Sequence, residues 1–268
     1  MSAERIQSAL ARIARDSALR DRFEQAPDAT LAELGLDARE RAGMLSASPQ
    51  RLLAYHQMVH GRLFKAIRTF IGGAADRLGH DRLRADVDAW IADPGPKTPY
   101  FLEIPAEFLA WAQPRWEADS SLAPWVAELA AHQVLIRTVR NDPREIGEPT
   151  GKGLELDGPV VCNGTVRVVR YRWAVHRLPK RLGPEQEPAH EPAIVIAYRG
   201  PDQQPSFIDI KPRSAHMLER LLAGASLREA LFSACEAMGE TLDDAILSVT
   251  AVTLADLFER HVLLGGAA

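Results

Sequence analysis

The segment Tyr55 to Leu63, YHQMVHGRL, carries His56 and His60 four residues apart. In a helix that spacing turns both imidazoles to one side. His-x3-His is also the skeleton of the zinc-protease helix, in which a Glu beside the first histidine acts as general base. Gln57 stands in that position here, and no Asp, Glu, His or Cys lies at helical spacing beside the pair to complete a metal shell. At about 100° per residue, His56 falls inside an apolar stripe with Tyr55, Val59, Leu63 and Phe70, and His60 falls at its edge. The expectation is a packed His56, a His60 near the rim of the helix, and no metal site.

The remaining chemistry-bearing residues are dispersed. His132, His176, His190, His216 and His261 stand singly, and Cys162 and Cys235 lie in different segments with no CxxC, so both are read as plain thiols. There is no nucleophile–base–orienter set, no GxSxG and no phosphate-cradling glycine loop. No catalytic residue is assigned.

The elements that hold these residues change character near residue 145. Before it, apolar residues recur at helical spacing: Ile6, Leu10, Ile13, Leu19 and Phe23, then Leu31, Leu34 and Leu36. A longer helix is predicted from Ser48-Pro49, a polar cap with Pro at the first helical position, until Gly72-Gly73 stops it. Further helices are predicted over Leu83–Ile91, Ile104–Trp111 and Leu122–Val139, with a proline-rich turn segment over Asp93–Tyr100. The stretch TPYFLEIPAEFLAW, with Tyr100, Phe101, Phe108 and Trp111, fits either core packing of short helices or an exposed ridge for a partner.

The Gly- and Pro-dense stretch Asn141 to Pro159 reads as a linker, and a second domain begins after it. Thr165–Val175 is predicted as a strand, and Ala193–Arg199 and Ser206–Lys211 as a hairpin turned at Gly200-Pro201-Asp202. Three helices close the chain: Ser214–Leu222 ended by Gly224, Ser226–Met238 with Ser226 and Glu229 as a capping box, and Asp243 to about Leu263. The expected organisation is a small helical module over residues 1–47, a helical domain over 48–141, a linker over 142–164, and a sheet-and-helix domain over 165–268. The fold class is α+β: an all-α half, then a winged helix-turn-helix-like domain with a small antiparallel sheet.

With 268 residues, 46% hydrophobic, the chain can bury a full core. A net charge of −4 gives no global pull toward nucleic acid or an anionic membrane. No apolar run approaches a membrane span, and the start MSAERIQSAL lacks the signal-peptide pattern, so a cytoplasmic protein is expected. One local exception is basic: Arg167, Arg170, Arg172, Arg177, Lys180 and Arg181, with no acid between Thr165 and Gly183. A solvated sheet face, a nucleic-acid surface and a site for an acidic peptide all fit it. The closing helices oppose DNA, with four Arg against eight Asp or Glu between Arg213 and Val262.

The segment IDIKPRSAHMLERLLAGASLREALFSACEAMGETLDDAILSVTAVTLADLFERHVLL resembles the RiPP recognition element, the peptide-binding winged-helix module similar to the pyrroloquinoline quinone peptide chaperone. RLLAYHQMVHGRLFKAI and LRADVDAWIADPGPKTPYFLEIPAEFLAW resemble the helical half of proteins that accompany multinuclear non-haem iron-dependent oxidases, a family formerly labelled as DNA-binding. LARIARDSALRDRF and LAELGL are similar to small helical modules of Nif11-type leaders and dioxygenase small subunits.

The resemblance implies a non-catalytic partner subunit that grips the leader of a ribosomally made, Cys-containing precursor peptide and presents its core to the oxidase. The iron belongs to that enzyme, with no cofactor in this chain. The leader adds as a strand to an exposed edge. That edge is Ser206, Phe207, Ile208, Asp209, Ile210 and Lys211, with Leu247, Thr250, Leu254 and Phe258 or neighbours one turn away on the last helix, and Arg170 and Arg172 attracting acidic residues. Tyr100, Phe101, Trp111 and His60 dock the oxidase. The implied assembly is a heterodimer or larger hetero-complex with neither nucleic acid nor membrane as partner. The rival readings are a winged-helix DNA-binding regulator and a metalloenzyme built on His56 and His60.

Overall fold

A computed structural model describes residues 2–46, 49–179, 181–183 and 185–267, with the side chains of 2, 3, 17, 49–53, 55 and 56 outside the description. The expected cap Ser48, the side chain of His56 and the whole of Lys180 lie outside the described residues. The chain divides into two compact units, Met1–Val134 and Leu135–Ala268. Among the described residues the first is helical, and the second carries a three-stranded and a two-stranded antiparallel sheet together with helices.

In the first unit, α1 (Ser2–Arg15), α2 (Ser17–Gln25), α3 (Pro27–Glu33) and α4 (Ala38–Ser46) enclose a core of Ile13, Leu19, Phe23, Leu31, Leu36 and Met44. Asp16 caps α2 by accepting from the Leu19 N–H at 3.0 Å. Then come α5 (Pro49–Phe70), α6 (Gly72–Leu78), α7 (His80–Ala92), α8 (Ile104–Ala118) and α9 (Val126–Arg140), whose last residues belong to the second unit. Gly72-Gly73, expected to stop the long helix, instead opens α6; the break falls at Ile71, whose ψ of 36° leaves the helical well. Helix α8 runs on past Trp111 through Pro114 to Ala118, because Trp116 is drawn into the core beside Phe108 at 5.8 Å and donates from Nε1 to Asp86 at 2.8 Å.

In the second unit, β2 (Arg167–Tyr171), β3 (Ala193–Arg199) and β4 (Pro205–Ile210) form an antiparallel sheet in that order, with β2 and β4 as its two edges among the described residues. The hairpin between β3 and β4 turns at Gly200, which donates to the Gln204 carbonyl at 2.9 Å. Strand β2 is shorter than expected. After Tyr171 the chain bends into a single 3-10 turn at Val175–Arg177, and Ala174 is buried. Val168, Ile196 and Ile208, in register across the sheet, face the core made by α10 (Pro212–Leu222), α11 (Leu227–Met238) and α12 (Asp244–Glu259). The capping box forms as expected, with Ser226 N–H donating to Glu229 at 2.9 Å and Glu229 N–H to the Ser226 hydroxyl at 3.3 Å.

The last helix ends sooner than its sequence suggests, because His261 takes a left-handed φ of 59° and breaks it. Leu263–Gly266 then forms β5, paired antiparallel with β1 (Val160–Cys162), two strands that the sequence pattern does not announce. Gly265 has φ +126° and packs where a side chain would meet Thr150 and the Lys152 carbonyl, so the pairing needs glycine there. Buried Asn163 ties the sheets together: its amide donates to the carbonyls of Arg199 and His261 at 3.0 and 3.1 Å, and its oxygen accepts from Thr165 at 2.9 and 2.7 Å.

Candidate peptide-binding groove and the fate of the other predicted sites

Among the described residues strand β4 has no neighbour beyond it, so one row of its backbone N–H and C=O groups lacks a strand partner. Beside this edge runs α12, and between them lies a groove of about 960 Å³. Ile208, Ile210 and Leu257 form its apolar base, and Val249, Val252 and Met238 line it with 51%, 73% and 40% of their surface exposed. A surface this apolar and this open is unusual on a helix, since solvent-facing positions are ordinarily polar.

The groove also holds charges. Asp209 sits 2.8 Å from His176 Nε2 and 3.4 Å from Arg177. Arg213 donates to Glu240 at 2.7 Å, and Arg260 donates to Asp256 at 2.8 Å. Lys211, where β4 runs into α10, is exposed.

Of the residues expected along the edge, Ile208, Asp209, Ile210 and Lys211 line the groove, whereas Ser206 and Phe207 lie farther up β4 outside it. On α12 the groove face is Ser248, Val249, Val252, Thr253 and Asp256. Thr250 and Leu254 are turned toward the core, and the exposed Leu247 and Phe258 lie outside the groove. Val249 and Val252 were not among the residues expected there. The signal available was their i, i+3 spacing with Asp256 one turn on, a second stripe on a helix that is apolar nearly all round.

The arginines of β2 face acids. Arg170 forms a two-pronged pair with Glu219 of α10, one arm at 3.0 Å, and holds that carboxyl below its ordinary range. Arg167 reaches Asp142 at 2.5 Å, and Arg144 reaches the same carboxylate at 2.7 Å. Hydrogen bonding by Arg144, then by Arg167, outweighs burial and holds Asp142 far below its usual value. Arg172 lies just past the end of β2 and is exposed.

In the helical unit, Tyr100, Phe101 and Leu102 are exposed by 67%, 54% and 59% on the turn before α8. The turn is braced: Tyr100 N–H donates to the Thr98 hydroxyl at 3.1 Å, and that hydroxyl donates to Glu103 at 2.6 Å. Trp111 is half-buried, tilted against Phe108 at 6.2 Å, with the Arg115 guanidinium over its ring at 4.0 Å.

His60 is corrected. Expected at the rim and as a docking residue, it is fully buried, with Nδ1 2.6 Å from Asp88 and Nε2 2.9 Å from the Ala14 carbonyl. The helical wheel of α5 misplaces it because α1 and α7 both pack on α5 and close over that side. Asp88 is pushed up by burial but held below the ordinary carboxylate value overall, by hydrogen bonds from His60 and Arg84 and by their charges. Among the described residues no group of three or more His, Cys, Asp or Glu is arranged to hold a metal ion. Burial pushes the Cys162 thiol up to about 11, which keeps it protonated near neutrality. No described helix is long and apolar enough to cross a membrane.

The fold and groove together define a helix-rich α+β protein whose second unit presents an open sheet edge beside an apolar helix face. Residues 163–258, which span that sheet and α10 through α12, match the family model of the HvfC C-terminal domain. A comparison with curated proteins finds no match.

Proposed function

We propose that this chain is a non-catalytic partner subunit whose second unit is a winged-helix peptide-recognition module of the RiPP recognition element type. It binds the leader of a ribosomally made precursor as an added strand on β4, with leader side chains seated along α12. The observation that carries this reading is the unpaired β4 edge beside the open apolar face of α12, inside the segment similar to the HvfC C-terminal domain. Strand addition suits that arrangement, because main-chain hydrogen bonds supply affinity while alternate side chains enter the groove. The partner that acts on the precursor's Cys-containing core is a multinuclear non-haem iron-dependent oxidase, docked through the braced Tyr100–Phe101 turn. The DNA-binding alternative loses support at its intended wing, where Arg167 and Arg170 already face carboxylates.

The test is titration of a labelled leader, from the precursor encoded beside the oxidase, into the full chain by fluorescence anisotropy. Micromolar or tighter binding that Val252→Asp weakens about tenfold or more is expected. Absence of leader binding together with salt-steep binding of duplex DNA would replace this reading with the regulatory one.

A further inference from the structure

We infer that the β4–α12 groove selects extended peptides bearing an acidic side chain at the end where β4 meets α10, set apart from apolar side chains that lie along α12, and that Lys211 reads the acid. The inference rests on the groove being a peptide site and goes on to say which peptides it takes.

The charge pattern carries it. Asp209 is held by His176 and Arg177, Arg213 by Glu240, and Asp256 by Arg260. Each of those groups faces an opposite charge or a histidine within the chain, which leaves little field for an incoming ligand. Among the described residues that line the groove, Lys211 is the charged side chain without a counter-ion. Its backbone is still extended, with φ −78° and ψ 154°, and it is the last residue before α10 begins at Pro212. A strand laid on β4 therefore passes Ile208 and Ile210 before reaching the ammonium.

The alternation of β4 fixes the rest of the pattern. Ile208 and Ile210 pack toward the helical core, so every second peptide side chain on that face enters between the strand and Val249 and Val252. Apolar side chains suit those positions, because they cover surface that is otherwise left in water. An acid in the same place would be desolvated without a partner. At the Lys211 end the preference reverses: a carboxylate gains an ion pair and a basic residue meets a like charge. The pair is exposed, so its effect is modest and is screened by salt.

A displayed library of random short peptides, sorted against the full chain, against Lys211→Glu and against Val252→Asp, tests this. The unaltered chain is expected to enrich alternating apolar residues with Asp or Glu beyond one end. Lys211→Glu keeps the apolar pattern and shifts the end position to Lys or Arg. In a selected peptide, exchanging the acid for Lys weakens binding about five-fold at low salt, a difference that shrinks as salt rises. Apolar alternation with no charge preference, or a preference that Lys211→Glu leaves unchanged, overturns the inference and leaves the peptide groove standing. No enrichment at all, or enrichment that survives Val252→Asp, overturns the groove itself.

Discussion

His60 and the β4–α12 groove make an instructive pair. His60 belongs to a spacing associated with metal chemistry, yet in the fold both of its ring nitrogens face acceptors, Asp88 on α7 and the last turn of α1. Its polarity is used to join three helices. The groove carries no catalytic or metal-binding motif, yet among the described residues it leaves a strand edge open, two valines in water and one ammonium without a counter-ion. Capacity for recognition arises from groups that folding leaves unpaired, and the residue types that attract attention in a sequence are often those that folding pairs first.

The largest effect is expected from unpairing His60. Asp88→Ala leaves a fully buried imidazole facing one acceptor instead of two. A loss of roughly 2–3 kcal/mol is expected in urea denaturation of the full chain, the upper range for a lost hydrogen bond to a charged group. Leader affinity should not change. Asp88 also sets a pH dependence: its folded value lies below the ordinary 3.8, so its stabilisation is complete above that value and is lost as pH falls through the folded one. An acid-unfolding curve that Asp88→Asn leaves unshifted would contradict this.

Next in size is the exposed turn of the helical unit. Phe101→Ala together with Tyr100→Ala is expected to weaken the proposed docking of the oxidase by about 2 kcal/mol, as for an aromatic anchor, and to leave thermal stability nearly unchanged because both rings already stand in water. Pull-down of the oxidase by the chain reads it. In the second unit, Val252→Asp should reduce leader affinity by about tenfold or more, since it places a carboxylate against apolar leader side chains. At 73% exposure it should alter stability little, so an intact melting curve separates the two effects.

Parts of this architecture are legible in the sequence for clear reasons. The periodicity of α7, the β3–β4 hairpin and the Ser226–Glu229 capping box are local signals, and each appears where local chemistry places it. Strands β1 and β5 are hidden, because three or four residues are too few to show alternation and the apolar pattern of the last helix runs on to about Leu263, where β5 begins. Orientation fails where a helix is covered on several sides, as for His60 on α5, or is apolar nearly all round, as for α12. No wheel drawn on such a helix identifies which flank a neighbouring strand leaves open.

The other edge of the sheet supplies the smallest and most discriminating effect. Strand β2 is as much an edge as β4, but its Arg170 is engaged by Glu219 across an exposed pair. Arg170→Ala should cost at most about 1 kcal/mol, because water screens the pair and its side chains are more than a third exposed. The sign with pH is set by Glu219, whose folded value is lowered chiefly by the Arg170 hydrogen bond. The pair's contribution is therefore present above the ordinary glutamate value of 4.5 and fades as pH falls through the lower folded one. Leader binding should stay within about twofold of the unaltered chain, a change well under 1 kcal/mol. If Arg170→Ala weakens leader binding as much as Val252→Asp does, the two edges are equivalent in recognition and the distinction between paired and open surface fails.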